Sequence, residues 1–197
     1  MQHRRRVWAA IGIAVSLVSC STSFDMSGER LTSLGPEWGV VIGSVLVQPV
    51  KASGEDDRRR DAADVTYQFD IVQSPPGDPD GESPYGERYR LDAKAGEERI
   101  FISRLRSGRY LMKTFSKDNI TGIGGDLDLL FDSMAGEVRY IGRVLVEIPQ
   151  RVSRGKGYRF TVENARESTL AQVSHDHPDL AQRAVDVPMR AREHPEP

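Results

Sequence analysis

Residues 65–71 read VTYQFDI, with Val65, Tyr67, Phe69 and Ile71 separated by Thr66, Gln68 and Asp70. Successive side chains of extended backbone point to opposite faces, so this alternation demands a sheet that buries one face and wets the other. The pattern recurs. In VRYIGRVLVEI, Val138, Tyr140, Val144, Val146 and Ile148 share a face with Gly142, opposite Arg139, Arg143 and Glu147. Tyr158, Phe160 and Val162 alternate with Arg159, Thr161 and Glu163. Less regular strands are read at 38–47, 87–91, 99–105, 108–115 and 127–131. Short strands at this density, punctuated by turn residues, predict a mainly β fold: an antiparallel β-sandwich of seven or eight strands.

One C-terminal helix is predicted over about 165–175. Asn164-Ala165-Arg166-Glu167 has capping-box spacing, Leu170 and Val173 fall on one face, and Pro178 stops the run. The domain is placed at 38–181, and residues 182–197, charged and proline-bearing, are expected to be a disordered tail. Two loops, KASGEDDRRRDAAD at 51–64 and SPPGDPDGESPYGE at 74–87, are the candidate surfaces for an envelope protein partner, because recognition concentrates in long loops on a rigid sheet.

Upstream of the strands, Arg4-Arg5-Arg6 precede an apolar run of 13 residues, Val7 to Ser19. A helix needs roughly 20 apolar residues to span a bilayer, so the run is too short to stay in the membrane and has the order of an export signal. Its end, Leu17-Val18-Ser19-Cys20, resembles the bacterial lipobox, in which the cysteine is acylated and becomes the first residue after cleavage. The resemblance implies a lipoprotein signal peptide at 1–19, cleavage between Ser19 and Cys20, and membrane attachment through lipidated Cys20. A single acyl chain holds only marginally, at about 0.8 kcal/mol per buried methylene, so the multiple acylation implied here provides durable attachment. Ser21, rather than Asp, at the next position fits outer-membrane sorting, so the expected address is the cell envelope, anchored in the outer membrane and facing the periplasm. Residues 20–37 then read as the lipidated cysteine and a flexible tether with an end-to-end distance of roughly 20 Å.

Cys20 is the single cysteine of the 197 residues, so no disulfide forms within the chain and stability must come from an apolar core. Removing 1–19 takes away three arginines and no acid, moving the formal charge from −2 to −5. A mildly acidic chain of this kind argues against nucleic acid as a partner.

No residue set carries the pattern of an active site. His175 and His177 lie two apart, which on a helix points them about 200° apart, and no nearby His or Cys completes a zinc site. Asp78, Asp80 and Glu82 alternate as calcium ligands do, but Ser83 stands where the calcium loop needs glycine and Tyr89 where it needs glutamate. Thr121-Gly122-Ile123-Gly124-Gly125 opens into a strand rather than a helix, so it reads as a hairpin connection and not a phosphate cradle. Asp126 and Asp128 read as the wet face of that strand, and Asp132 follows them. The reading therefore assigns no catalytic, metal-binding or cofactor-binding residue and expects a protein that is not an enzyme.

Phe101-x-x-x-Leu105-x-x-Gly108-x-Tyr110 resembles the corner of bacterial prealbumin-like sandwich domains, described as carboxypeptidase-regulatory-like, with Ser107 in place of the proline found there. Residues 131–142, FDSMAGEVRYIG, are similar to a hairpin segment of small envelope lipoproteins of unassigned function. Together the two resemblances cover residues 38–163 and imply a fold without an activity. The expectation is a lipid-anchored envelope protein acting as a non-catalytic interaction or structural module. The alternative is an anchored lipocalin-like carrier of small hydrophobic ligands, from whose Gly-x-Trp pattern Glu37-Trp38-Gly39 departs.

Overall fold

The computed structural model describes residues 22–26, 35–50, 65–74, 86–117, 124–149 and 157–192. Its strands are β1 (Thr22–Ser23), β2 (Trp38–Val50), β3 (Thr66–Ser74), β4 (Arg88–Lys94), β5 (Glu98–Arg106), β6 (Gly108–Lys117), β7 (Gly124–Ser133), β8 (Val138–Pro149), β9 (Arg159–Glu163), β10 (Ala184–Asp186) and β11 (Arg190–Ala191). Helices α1 (Arg166–Asp176) and α2 (Pro178–Arg183) lie between β9 and β10.

The strands form two sheets. One has the order β1-β4-β3-β6-β7-β11; the other runs β10-β8-β2-β5, with β9 also pairing to β8. Both are mixed rather than antiparallel, because β1–β4, β2–β8 and β10–β8 pair in parallel. Alternation in a sequence reports which face of a strand is buried and carries nothing about direction. After β2 the chain builds most of the other sheet before returning as β8, a crossover long enough to bring it back parallel. The irregular pattern of β2 has a related cause. From Gly39 to Val45 it is buried on both faces, and such strands read as nearly continuous apolar runs.

The main core lies between the sheets, with Val41, Val45, Phe101 and Val144 from one meeting Phe69, Ile71, Met112 and Phe131 from the other. A second cluster sits on the outer face of the β2-containing sheet, where Leu170, Val173 and Leu180 of the helices cover Val40, Ile42, Val138 and Tyr140. Strand β8 serves both clusters, which corrects the reading that its apolar residues share a face. Two residues, Ile141 and Gly142, oppose Gly43 at a bulge, and Gly142 adopts φ +95°. The extra residue rotates the strand, so Val138 and Tyr140 face the helices while Val144, Val146 and Ile148 face the other sheet.

Helix α1 starts without the capping box. Its N-cap is Ala165 with no side-chain cap bond, and Asn164 Oδ1 instead accepts from the Arg166 amide at 3.1 Å. Pro178 does not merely stop α1; it opens α2, where its missing amide hydrogen costs nothing.

Two further corrections concern segments expected to be loose. In the presumed tether, Thr22–Ser23 pairs with β4 and Phe24 is buried at 1% exposure. In the presumed tail, β10 and β11 pair with β8 and β7, and Met189 between them is buried in the main core. Neither short segment has a period to recognise, and each is ordered by edge hydrogen bonds plus one apolar plug. Phe24→Ala is therefore expected to cost about 3–5 kcal/mol in urea unfolding, as a buried phenylalanine does. A change within about 0.5 kcal/mol, usual for an exposed site, would return Phe24 to the tether.

Candidate functional site

Thr22–Met26 stitches the two sheets together along one open side. Phe24 N donates to Arg90 O at 2.8 Å on β4, whereas Met26 N donates to Ile102 O at 2.8 Å on β5. Ser103 Oγ donates to the Phe24 carbonyl, and Arg99 of β5 pairs with Asp25, whose side chain is only 7% exposed. The Phe24 ring lies between sheets, 5.2 Å from Phe101, 5.9 Å from Tyr89 and 6.2 Å from Phe131. A polar cavity of about 280 Å³, lined by Ser23, Asp25, Arg90, Leu91, Asp92 and Arg99, opens beside it. Arg90 Nε is buried there without a hydrogen-bond partner among the described residues.

The registers show which end of the body this segment enters. Thr22 pairs with Tyr89, Arg88 with Val72, Arg109 with Ser74 and Gly108 with Ser133. In the other sheet Trp38 pairs with Arg106, and Val138 pairs with both Val40 and Ala184. The starts of β1, β2, β4, β6, β8 and β10 therefore share one end with the finishes of β3, β5 and β7.

This end is rich in arginine. Arg104 and Arg106 lie over the Trp38 ring, 4.8 and 5.4 Å from its centroid. Arg109 meets Asp132 at 3.4 Å, Arg139 meets Glu137 at 2.8 Å, and Arg183 donates to Gly136 O at 3.0 Å. Glu87 accepts from the Tyr89 hydroxyl and lies 3.8 Å from Arg106. Burial pushes the Tyr89 and Tyr110 phenols well above their ordinary pKa, with the Glu87 carboxylate adding to both. They remain neutral hydrogen-bond donors throughout the physiological range.

The corner motif sits at the same end, where the chain leaves one sheet at β5 and enters the other at β6. Phe101, Leu105 and Tyr110 are buried, Tyr110 OH donates to Arg106 O at 2.9 Å, and the Tyr110 ring stacks on Phe131 at 5.5 Å. A phenol that reaches back four residues in this way ties the sheet switch closed. Ser107 at the proline position has a local reason, since its amide donates to Glu37 O at 2.8 Å, a bond proline cannot make.

The structure scatters the other motifs. His175 and Asp176 are exposed at the end of α1 and His177 is half-buried beyond it. No group of three or more His, Cys, Asp or Glu among the described residues could hold a metal. Asp126 is exposed, Asp128 adopts φ 47° with its carbonyl accepting from Arg192, and Asp132 pairs with Arg109. Gly125 makes room for the Tyr158 ring, whose hydroxyl donates to Asp126 O at 2.7 Å. Ser19, Cys20, loop 51–64, the acids at 78–82 and Thr121–Ile123 lie outside the described residues, as does 75–85 of the second loop.

Sequence reasoning missed the Asp25–Arg99 pair, the Trp38 stack and a cluster on the outer face in which Arg143 holds Glu163 at 2.7 Å and Glu98 at 3.6 Å. The available signal for the first was Phe24, the one aromatic residue in the stretch 21–37.

No family model matches this chain, and no curated protein matches it. Among solved structures, a leucine-rich repeat protein from Bacteroides thetaiotaomicron is similar at 12% identity, over 66% of this chain and 15% of its own, with a TM-score of 0.27. A likeness at that level carries no argument about fold or activity. The corner does generate an expectation of its own: Tyr110→Phe, which strips the Arg106 carbonyl of its donor, should lower unfolding free energy by about 1–2 kcal/mol, and Ser107→Pro should also destabilise. Wild-type midpoints in both variants would show that the corner bonds do not hold the sheets.

Proposed function

We propose that this chain is a lipid-anchored cell-envelope protein, attached through Cys20, whose two-sheet body is a non-catalytic interaction or structural module. The body is best described as a sandwich, since the main core is shared by both sheets. The order Leu17-Val18-Ser19-Cys20 carries the anchor, and the register of β1 sets how near it lies to the body. With Thr22 paired to Tyr89, a single residue, Ser21, separates Cys20 from the body. An extended chain covers at most about 3.6 Å per residue, so the Cys20 Cα lies within about 7 Å of that of Thr22. An acyl group there acts as a rivet on a rigid body rather than as the end of a leash.

The two candidate partner loops then differ. Loop 51–64 joins the finish of β2 to the start of β3, at the end away from Thr22, whereas 75–85 joins β3 to β4 at the same end as Thr22. In this reading the strand ends that flank 51–64 lie away from the anchor, and 51–64, with its clustered acids and bases, is the surface assigned to an envelope partner. The site assigned to modification is Cys20, with cleavage after Ser19; the address is the outer membrane, facing the periplasm.

Cys20→Ala tests the reading. In a bacterial host fed a labelled fatty acid, the variant is expected to lose the label and move from the membrane fraction to the soluble fraction. Retained label, or membrane association unchanged by the substitution, removes the anchor.

A further inference from the structure

We infer that the Thr22 end of the body is a bilayer-contacting face, seated on the phospholipid headgroup layer with the strands standing away from it. This rests on the anchoring proposed for Cys20. Its first support is the length of chain involved: one residue between the anchor and β1 keeps the Thr22 end of the body next to the membrane.

The second support is the chemistry of that end, which is independent of the cysteine. Among the described residues the exposed large hydrophobics are Met134, at 48%, and Val185, at 54%. Met134 lies in the turn from β7 to β8, at this end, and Val185 pairs with Arg139 one residue along from it. Trp38, the single tryptophan after Cys20, is there too, half-buried beneath Arg104 and Arg106. Indole rings favour the membrane–water interface, and arginine lays its methylenes on apolar surface while its charge stays with headgroups. Three of the carboxylates here are paired, Glu87 with Arg106, Asp132 with Arg109 and Glu137 with Arg139, which lowers the cost of bringing them to the headgroup layer. The opposite end, where Glu97 joins β4 to β5, stands roughly 30 Å away, the rise of the nine residues of β5 at about 3.3 Å each.

The test uses the full chain, processed and purified from a bacterial host and reconstituted into phosphatidylethanolamine–phosphatidylglycerol vesicles. Met134→Cys and Glu97→Cys each place one dye-reactive thiol, at the near and far ends respectively, because an acylated Cys20 does not react. Vesicle flotation and the mass of the N-terminal peptide report the anchor separately. The expected result is a blue-shifted dye at position 134, quenched at least twofold by lipids brominated near the headgroup, with the dye at 97 unaffected; Trp38 fluorescence should be quenched as well. Acylated protein that floats with the vesicles but shows no quenching at 134, or equal quenching at both positions, overturns the face while leaving the anchor intact. Protein that lacks acyl groups and does not float overturns both.

Discussion

The stability of this body depends on closing its sides. Two stacked sheets leave rows of unpaired amides and carbonyls at their edges and a gap into the core between them. On one side Thr22–Met26 bonds to β4 and β5 and inserts Phe24; on the other, Ala184–Ala191 bonds to β8 and β7 and inserts Met189. The arrangement is the same at both ends of the described chain: a few edge hydrogen bonds and one apolar side chain buried between the sheets. β9 completes the work on β8, pairing with Arg143–Glu147 where β10 has covered Val138–Tyr140.

That closure links fold to function. A segment that seals a core cannot also be a leash, so docking of Phe24 changes how an acyl group on Cys20 would act. It would hold the body close to the bilayer, and the proposed seating would gather the corner at Tyr110, the Trp38 stack and the exposed Met134 at one side. The same topology carries β2 away from that side, so β2 finishes and β3 starts at the far end. In the proposed reading, attachment and presentation would be separated by the length of the strands.

Much of the sheet structure was legible because burial leaves a period in the sequence. VTYQFDI overlaps β3, which runs three residues further, and its alternating residues Tyr67, Phe69 and Ile71 enter the main core. The corner residues Phe101, Leu105 and Tyr110 were visible as a spaced motif, and all three are buried. The candidate face was not legible. Trp38, Arg104 and Arg106 come from two strands, Met134 from a turn and Val185 from a strand of three residues, so only pairing brings them to one end. β1, β10 and β11 were missed for a related reason: two or three residues cannot display a period.

By itself the sequence determined a β-rich chain with a single cysteine, the spaced motif Phe101, Leu105, Gly108 and Tyr110, and the order of residues at Leu17–Cys20 from which an anchor is proposed. Those properties are local: each depends on neighbours within a few positions. Tertiary structure decided that β2 and β8 run parallel, that the bulge at Gly142 divides β8 between two cores, and that Phe24 belongs to the body. These depend on which edges meet across long stretches of chain, and alternation, being identical for either strand direction and silent about partners, holds no record of it.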